Sequence, residues 1–353
     1  MQNKKFYIPL VVLMVVSLLL GACTSATQTP TSTPAQAAAT VTTAPTATKP
    51  KSYVLVPKNL GNPYFDTANK GAQDAAKELG VTVTYQGPAT ADATQQIQLL
   101  NTLIAQKVDG LAISADDADA LVNTGQAAMK AGIPVVTWDS AISPAGRNVH
   151  INQANPEDIG RTEVQLLAKL INNTGKIAIL SATSTAPNQN EWIKWMKDEL
   201  TKADYANMTL VDTVYGDDDD TKSYSQAHGL MKTYPDLKGI IAPTTVGIAA
   251  AARAVQDAGK VGQIIITGLG TPNQMRDYVK SGACPAFELW NPGDLGYLAI
   301  YMLDAIASGR IKGAAGDNFS AGRLGDFTIA ADGTVLLGKP TVFDKTNIDN
   351  FNF

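Results

Sequence analysis

The stretch Gly132-Ile133-Pro134-Val135-Val136-Thr137-Trp138-Asp139-Ser140 decides how the chain is read. A glycine start, a proline at the strand entrance and three β-branched residues predict a short strand over 133–137, one of a parallel sheet and buried on both faces. Its carboxyl end presents an indole and a carboxylate. In open α/β sheets ligands sit at that edge, because the loops leaving the strand ends converge on a crevice there. Asp139 is therefore the leading candidate for a ligand residue.

On both sides of this stretch short apolar strands alternate with helical segments, the signature of βαβ units and parallel sheets. Strands are expected at 53–57, 81–85 and 110–114, with helices at 63–79, 94–106 and around 121–131. After a loop containing Pro144 and Gly146 the pattern resumes, with strands at 176–180, 208–215, 239–242 and 263–267 and helices at 190–203, 223–234 and 246–258. Two further helices are expected at 272–281 and 295–308, and a hairpin over 327–337 turning at Asp332-Gly333. The fold class is α/β, with two doubly wound parallel-sheet lobes, the first 53–141 plus 271–312 and the second 142–270 plus 313–353. A chain that visits one lobe, crosses and returns makes a hinge of several strands, which permits closure over a ligand.

The 353 residues suffice for two core-bearing lobes, and 45% apolar with 17% charged is ordinary soluble composition. A net charge of −4 leaves no basic footprint for nucleic acid. Residues 1–22 read as an export signal: Lys4 and Lys5, an apolar run over 6–20, then Leu20-Gly21-Ala22-Cys23. That tetrapeptide resembles a bacterial lipobox, which implies that Cys23 is lipidated and anchors the chain outside the cell membrane. Cys284 is then the sole remaining thiol, so no intramolecular disulfide forms. Residues 24–52, almost all Thr, Ala, Pro, Ser and Gln, read as a tether too poor in large apolar side chains to fold.

An enzyme needs a nucleophile, a base or a metal site, and the inventory is thin. Only His150 and His228 occur, with no HExxH, no GxSxG and no cysteine pair. Gly175-Lys176 and Gly259-Lys260 lack the rest of a phosphate loop, and Gly268-Leu269-Gly270 lacks the third glycine of a dinucleotide fingerprint. The run Asp217 to Asp220 lacks calcium-loop spacing and reads as a solvated loop with a helix N-cap. No cofactor and no metal are expected.

The predicted strand ends instead carry a set of polar and aromatic groups: Lys58 with Asn62, Tyr64 and Phe65; Trp138-Asp139; Asn188-Gln189; Pro243-Thr244-Thr245; Trp290-Asn291. Carboxylate, ammonium and amides suit hydroxyl groups, and flat rings suit the C–H face of a small polyol. Each also has a plain structural role open to it. Trp138 and Tyr64 can be core, Asn188, Thr244 and Thr245 helix caps, Lys58 a surface lysine and Asp139 a turn former.

These residues stand within segments that match a known family: Gly71-Ala72-Gln73, Lys77-Glu78-Leu79-Gly80, 103–109, Trp138-Asp139-Ser140, 179–183, Asn188-Gln189-Asn190, 214–218, 242–247, 267–270 and Trp290-Asn291-Pro292. From 53 to 353 the chain resembles the periplasmic sugar-binding proteins of ABC importers in the ribose-binding-like group, most of all rhamnose-binding proteins and next the autoinducer-2 receptors. The resemblance implies a type I periplasmic binding protein fold, a monomer, a monosaccharide ligand and permease transmembrane subunits as partners. Of the groups with which the autoinducer-2 receptors hold their ligand, Lys58, Asp139, Gln189 and Pro243 match. Asn188 stands where those receptors carry an aspartate, and Thr245 where they carry an alanine; the rhamnose-like members carry Asn and Thr. A buried polar site discriminates steeply when its partners change, so both departures tell against autoinducer-2. The implied ligand set is Lys58, Tyr64, Phe65, Asp139, Asn188, Gln189, Pro243, Thr245, Trp290 and Asn291. A glycoside hydrolase would need a second carboxylate, and a sugar-responsive repressor a helix-turn-helix where this chain carries its export signal.

Overall fold

A computed structural model describes residues 49–353, and the expected export signal, Cys23 and most of the tether lie outside the described residues. The chain opens with β1 (Ser52–Val56), α1 (Pro63–Leu79), β2 (Thr82–Tyr85), α2 (Ala93–Ala105), β3 (Gly110–Ile113), α3 (Val122–Lys130), β4 (Val135–Trp138) and β5 (Val149–Asn152). These strands pair in parallel in the order β5-β4-β3-β1-β2. The sheet is covered on both faces, which is why its central strands read as unbroken apolar runs. Val54, Val56, Leu111, Ile113 and Val135 pack with Leu100 and Leu103 of α2 and Ala128 of α3, while Tyr53, Leu55, Ala112, Val136 and Trp138 face the other way.

The second set runs α4 (Pro156–Leu170), β6 (Gly175–Ser181), α5 (Pro187–Glu199), β7 (Met208–Tyr215), α6 (Asp220–Thr233), β8 (Leu237–Ala242), α7 (Thr245–Asp257), β9 (Ile265–Gly268), α8 (Pro272–Ser281) and β10 (Ala286–Leu289). Its sheet is parallel in the order β7-β6-β8-β9, and a bridge from Leu269 to Glu288 carries it on to β10. The chain then returns through α9 (Pro292–Ala307), β11 (Asn318–Ser320), β12 (Asp326–Thr328), β13 (Thr334–Leu336) and β14 (Thr341–Asp344). α9 lies back on α1, so tightly that a Cβ added to Gly71 would fall 1.8 Å from the Gly293 carbonyl oxygen. Glycine is required there by close approach of two backbones.

Sheet membership divides the chain elsewhere than the sequence pattern does. β5 and β13 are hydrogen-bonded into the first sheet, although boundaries at 142 and 313 assigned them to the second lobe. α8 packs on α7, and β10 continues the second sheet, although both fell in the segment 271–312 assigned to the first. The chain therefore crosses between sheets at 153–155, 290–291 and 337–340.

Two other expectations differ. β5 and α4 were missed: β5 has four residues, and α4 carries Gly160 and a polar first turn that obscure the stripe of Ile159, Val164, Leu167 and Ala168. The hairpin at 327–337 is only a turn. Asp332 and Gly333 do reverse the chain, with the Ala330 amide donating to the Thr334 carbonyl at 2.8 Å, but β12 pairs with β11 and β13 runs parallel to β5.

Candidate functional site

The carboxyl ends of β1, β4, β6, β7, β8, β9 and β10 converge on one narrow cavity, with about 320 Å³ of empty space counted out to open solvent. The first sheet contributes Lys58, Asn62, Tyr64, Phe65 and Asp139, the second Asn188, Gln189, Trp192, Asp218, Pro243, Thr244, Thr245, Leu269 and Leu289, and Trp290 sits in a crossing between them. Local sequence fixes these positions. Asn62 caps α1, its Oδ1 accepting from the Tyr64 amide at 3.0 Å, so Tyr64 and Phe65 leave the first turn pointing inward. Asp139 has a φ of 60°, and across it the Ser140 amide donates to the Trp138 carbonyl at 2.5 Å. This three-residue turn lifts the carboxylate off the strand end, a strained conformation of the kind that gathers at binding sites. Gln96 of α2 braces the neighbouring loops, its Nε2 donating to the carbonyls of Pro57 (3.1 Å) and Ser114 (2.8 Å).

Asp139 is the electrostatic centre. Its Oδ2 accepts from Ser114 Oγ at 2.6 Å and lies 3.5 Å from Lys58 Nζ, and its Oδ1 accepts from Tyr64 OH at 3.1 Å and Asn188 Nδ2 at 3.3 Å. Both members of the ion pair are buried, Lys58 at 3% and Asp139 at 4% exposure. Lys58 Nζ also donates to Asn188 Oδ1 at 3.2 Å, and Thr245 Oγ1 to Asn62 Oδ1 at 3.3 Å, so the two halves touch through side chains of the site itself. Gln189 Oε1 accepts from Ser181 Oγ (2.6 Å) and the Ala182 amide (2.8 Å), which leaves its Nε2 to donate elsewhere. Trp290 Nε1 donates to Tyr64 OH at 2.8 Å, and burial beside Asp139 holds the Tyr64 phenol well above its ordinary range.

An aromatic chain lines one wall: Trp192 lies 5.9 Å from Trp290, Trp290 6.2 Å from Tyr64, and Tyr64 5.1 Å from Phe65. Trp138 stands behind them, fully buried 5.7 Å from Phe65, so it is core rather than a stacking platform. Asn291 is not brought to the cavity: it is exposed and caps α9, its Oδ1 accepting from the Gly293 amide at 2.9 Å. Every other residue of the expected ligand set lines the cavity.

The sequence reading missed Trp192 and Asp218 and underrated Thr244. Nothing local singles Trp192 out within its helix. Asp218 was read as solvent-exposed loop, yet it lines the cavity, accepts a hydrogen bond from Thr244 Oγ1 and gives the site a second carboxylate. Behind the site, Asp116 is 2% exposed, and neither carboxylate oxygen has a hydrogen-bond partner. Burial pushes its carboxyl up to about 8, against the pull of nearby Lys58. Among the described residues no cluster of His, Cys, Asp or Glu is arranged to hold a metal ion.

A two-sheet α/β chain with three crossings and a polar, aromatic-walled cavity at the strand ends has the architecture of a solute-binding protein. The chain belongs to the periplasmic binding protein domain family, which matches residues 53–311. Its members bind substrates rather than transform them and act outside the cytoplasm. The chain is 28% identical over 268 residues to the D-allose-binding periplasmic protein of Escherichia coli, covering 73% of this chain and 86% of that one. A solute-binding protein of Clostridium phytofermentas, solved with L-rhamnose, is 37% identical with a TM-score of 0.82, over 86% of this chain and 98% of that one. LsrB of Clostridium saccharobutylicum, solved with AI-2, is 28% identical, also with a TM-score of 0.82, over 86% of this chain and 100% of that one.

Proposed function

We propose that this chain is the sugar-capturing component of an ABC importer, anchored to the membrane through Cys23, and that its ligand is a single deoxyhexose of the rhamnose kind. The observation that carries this reading is the small cavity between the two sheets' strand ends, with polar groups on both sides and an apolar wall between. Lys58 and Asp139 on one side and Asn188, Gln189 and Thr245 on the other face the hydroxyls of one ring. Phe65, Trp290, Leu289 and Leu269 receive the C–H face and the methyl group. The 37% identity to a protein holding L-rhamnose supports the choice of sugar. Bridging both halves, the ligand favours the closed form because only that form contacts it on both sides, and the closed monomer then docks on the permease.

The second reading, an autoinducer-2 receptor, draws on the likeness to LsrB. Asn188 and Thr245 stand against it, since one removes a charged acceptor and the other adds bulk beside the ligand. A thermal-shift panel of L-rhamnose, fucose, ribose, xylose and borate-free autoinducer-2 separates the two. At a hundredfold excess over Kd a ligand adds about 2.7 kcal/mol, or a Tm rise of about 5 °C at roughly 2 °C per kcal/mol. Rhamnose is expected to give the largest rise. A larger rise with autoinducer-2, or none with any sugar, would overturn the assignment.

A further inference from the structure

We infer that Asp218 is a second charged ligand-binding residue, held in place by Thr244, so that each half of the molecule presents one carboxylate to the ligand and the site selects uncharged polyols over acidic ones. This deepens the sugar-binding reading and rests on it. Of the four consecutive aspartates, three are committed elsewhere. Asp217 pairs with Lys222, Asp219 caps α6 by accepting from the Lys222 amide at 2.7 Å, and Asp220 pairs with Arg253 at 2.7 Å. Asp218 alone turns to the cavity, and among the bonds seen its carboxylate has one partner, the Thr244 hydroxyl.

The backbone delivers it there. The Gly216 amide donates to the Ser181 carbonyl at 2.8 Å and the Asp217 amide to the Ala182 carbonyl at 2.9 Å, pinning the loop after β7 to the end of β6. Asp217 and Asp218 then take left-handed φ values of 55° and 51°, which turn the Asp218 side chain back over the strand ends. Thr244 is already fixed as the N-cap of α7, so its hydroxyl makes a rigid bracket for the carboxylate.

The charge arrangement gives this placement a consequence. Lys58 is the one cationic side chain lining the cavity, against the two carboxylates of Asp139 and Asp218. The Asp139 charge raises the cost of ionising Asp218, and Asp218 in turn raises that of buried Asp116. A ligand rich in hydroxyl donors satisfies both cavity carboxylates; an anionic one adds a third negative charge to a buried site. Closure without ligand is opposed by the same repulsion, so Asp218 makes closing dependent on the ligand.

The test is calorimetric titration of L-rhamnose, and of the best sugar from the panel above, into wild type, Asp218→Asn, Thr244→Val and Thr244→Ser, with Tm and the small-angle scattering radius of each protein without ligand. Loss of a charged hydrogen-bond acceptor predicts about a 10- to 100-fold weaker Kd for Asp218→Asn. Thr244→Val should weaken binding severalfold, with Thr244→Ser restoring most of it. Unliganded Asp218→Asn should keep its Tm and be more compact than wild type, a change that a merely structural residue would not produce. Galacturonate should bind wild type at least tenfold more weakly than the neutral sugar and recover part of that deficit in Asp218→Asn. Sugar binding by Asp218→Asn within twofold of wild type overturns the role of Asp218 and leaves the sugar reading intact. Absence of sugar binding by wild type overturns both.

Discussion

Removing Lys58 should harm this protein more than removing its ion-pair partner. The pair is 3.5 Å apart with both side chains buried, a gross attraction of about 5 kcal/mol at an effective dielectric of 20. Breaking a buried pair from one side costs about 3–5 kcal/mol, because the survivor is left uncompensated. The two survivors here are not equivalent. After Asp139→Asn, Lys58 still faces the Asp218 carboxylate and still donates to Asn188 Oδ1, so the cost should fall to about 1–2 kcal/mol. After Lys58→Met the cavity lining has no cation and two carboxylates, and the cost should be about 3–4 kcal/mol. The assay is a double-mutant cycle by urea unfolding without ligand at pH 7, with a coupling energy of at least about 1.5 kcal/mol expected. Equal costs, or coupling below about 0.5 kcal/mol, would show that Lys58 is not the charge on which this cluster depends.

Asn188→Asp would replace the Nδ2 that donates to Asp139 Oδ1 at 3.3 Å with a second anionic oxygen; rhamnose affinity should drop about tenfold or more by calorimetry, and unchanged affinity would remove Asn188 from the site. Glu163 and Glu288 are buried without hydrogen-bond partners, and burial holds both carboxyls well above their ordinary range. The native state therefore keeps protons that the unfolded chain releases above about pH 4.5, so stability falls as pH rises, by up to about 1.4 kcal/mol per pH unit per group. Glu163→Gln, always neutral, should gain Tm over wild type progressively from pH 5 to 8; parallel curves would contradict it. Exposed Thr185 on the second half donates from Oγ1 to the Asp116 carbonyl on the first at 3.1 Å. Thr185→Ala should raise the ligand off-rate about threefold while touching no ligand, since a net hydrogen bond of ~0.5–1 kcal/mol is lost from the closed form only; an unchanged off-rate in stopped flow would refute the contact.

What the sequence made legible follows from how local each signal is. β4 and the turn at Asp139 could be read because β-branched residues, a proline and a strand-end carboxylate lie within nine positions. The helices 63–79 and 272–281 match α1 and α8 at both ends, since Pro at the start and glycine at 80 and 282 mark them. The halves were misassigned because membership depends on pairing over long range: nothing local in Val149–Asn152 says that it joins β4, nor in Thr334–Leu336 that it joins β5. Asp218 was lost for a related reason. A run of four aspartates looks uniformly solvated, and only the left-handed turn and the bonds to β6 separate the one that faces inward.

The same distinction bears on how the site can be selective without an excess of contacts. In this structure its polar groups already satisfy one another: Lys58 and Asp139 share Asn188, and Asn62 accepts from Thr245 across the cleft. A sugar hydroxyl therefore replaces a bond rather than adding one, and each replacement contributes only about 1 kcal/mol net. A ligand lacking that hydroxyl breaks the existing bond and supplies nothing in return, so the buried partner stays unpaired at about 1–3 kcal/mol. Discrimination per hydroxyl thus exceeds affinity per hydroxyl, and the apolar wall of Phe65, Leu289 and Trp290 must supply much of the attraction. A series of singly deoxygenated sugars should accordingly lose more binding energy at each hydroxyl facing Asp139 or Asn188 than the same hydroxyl contributes on average to the whole.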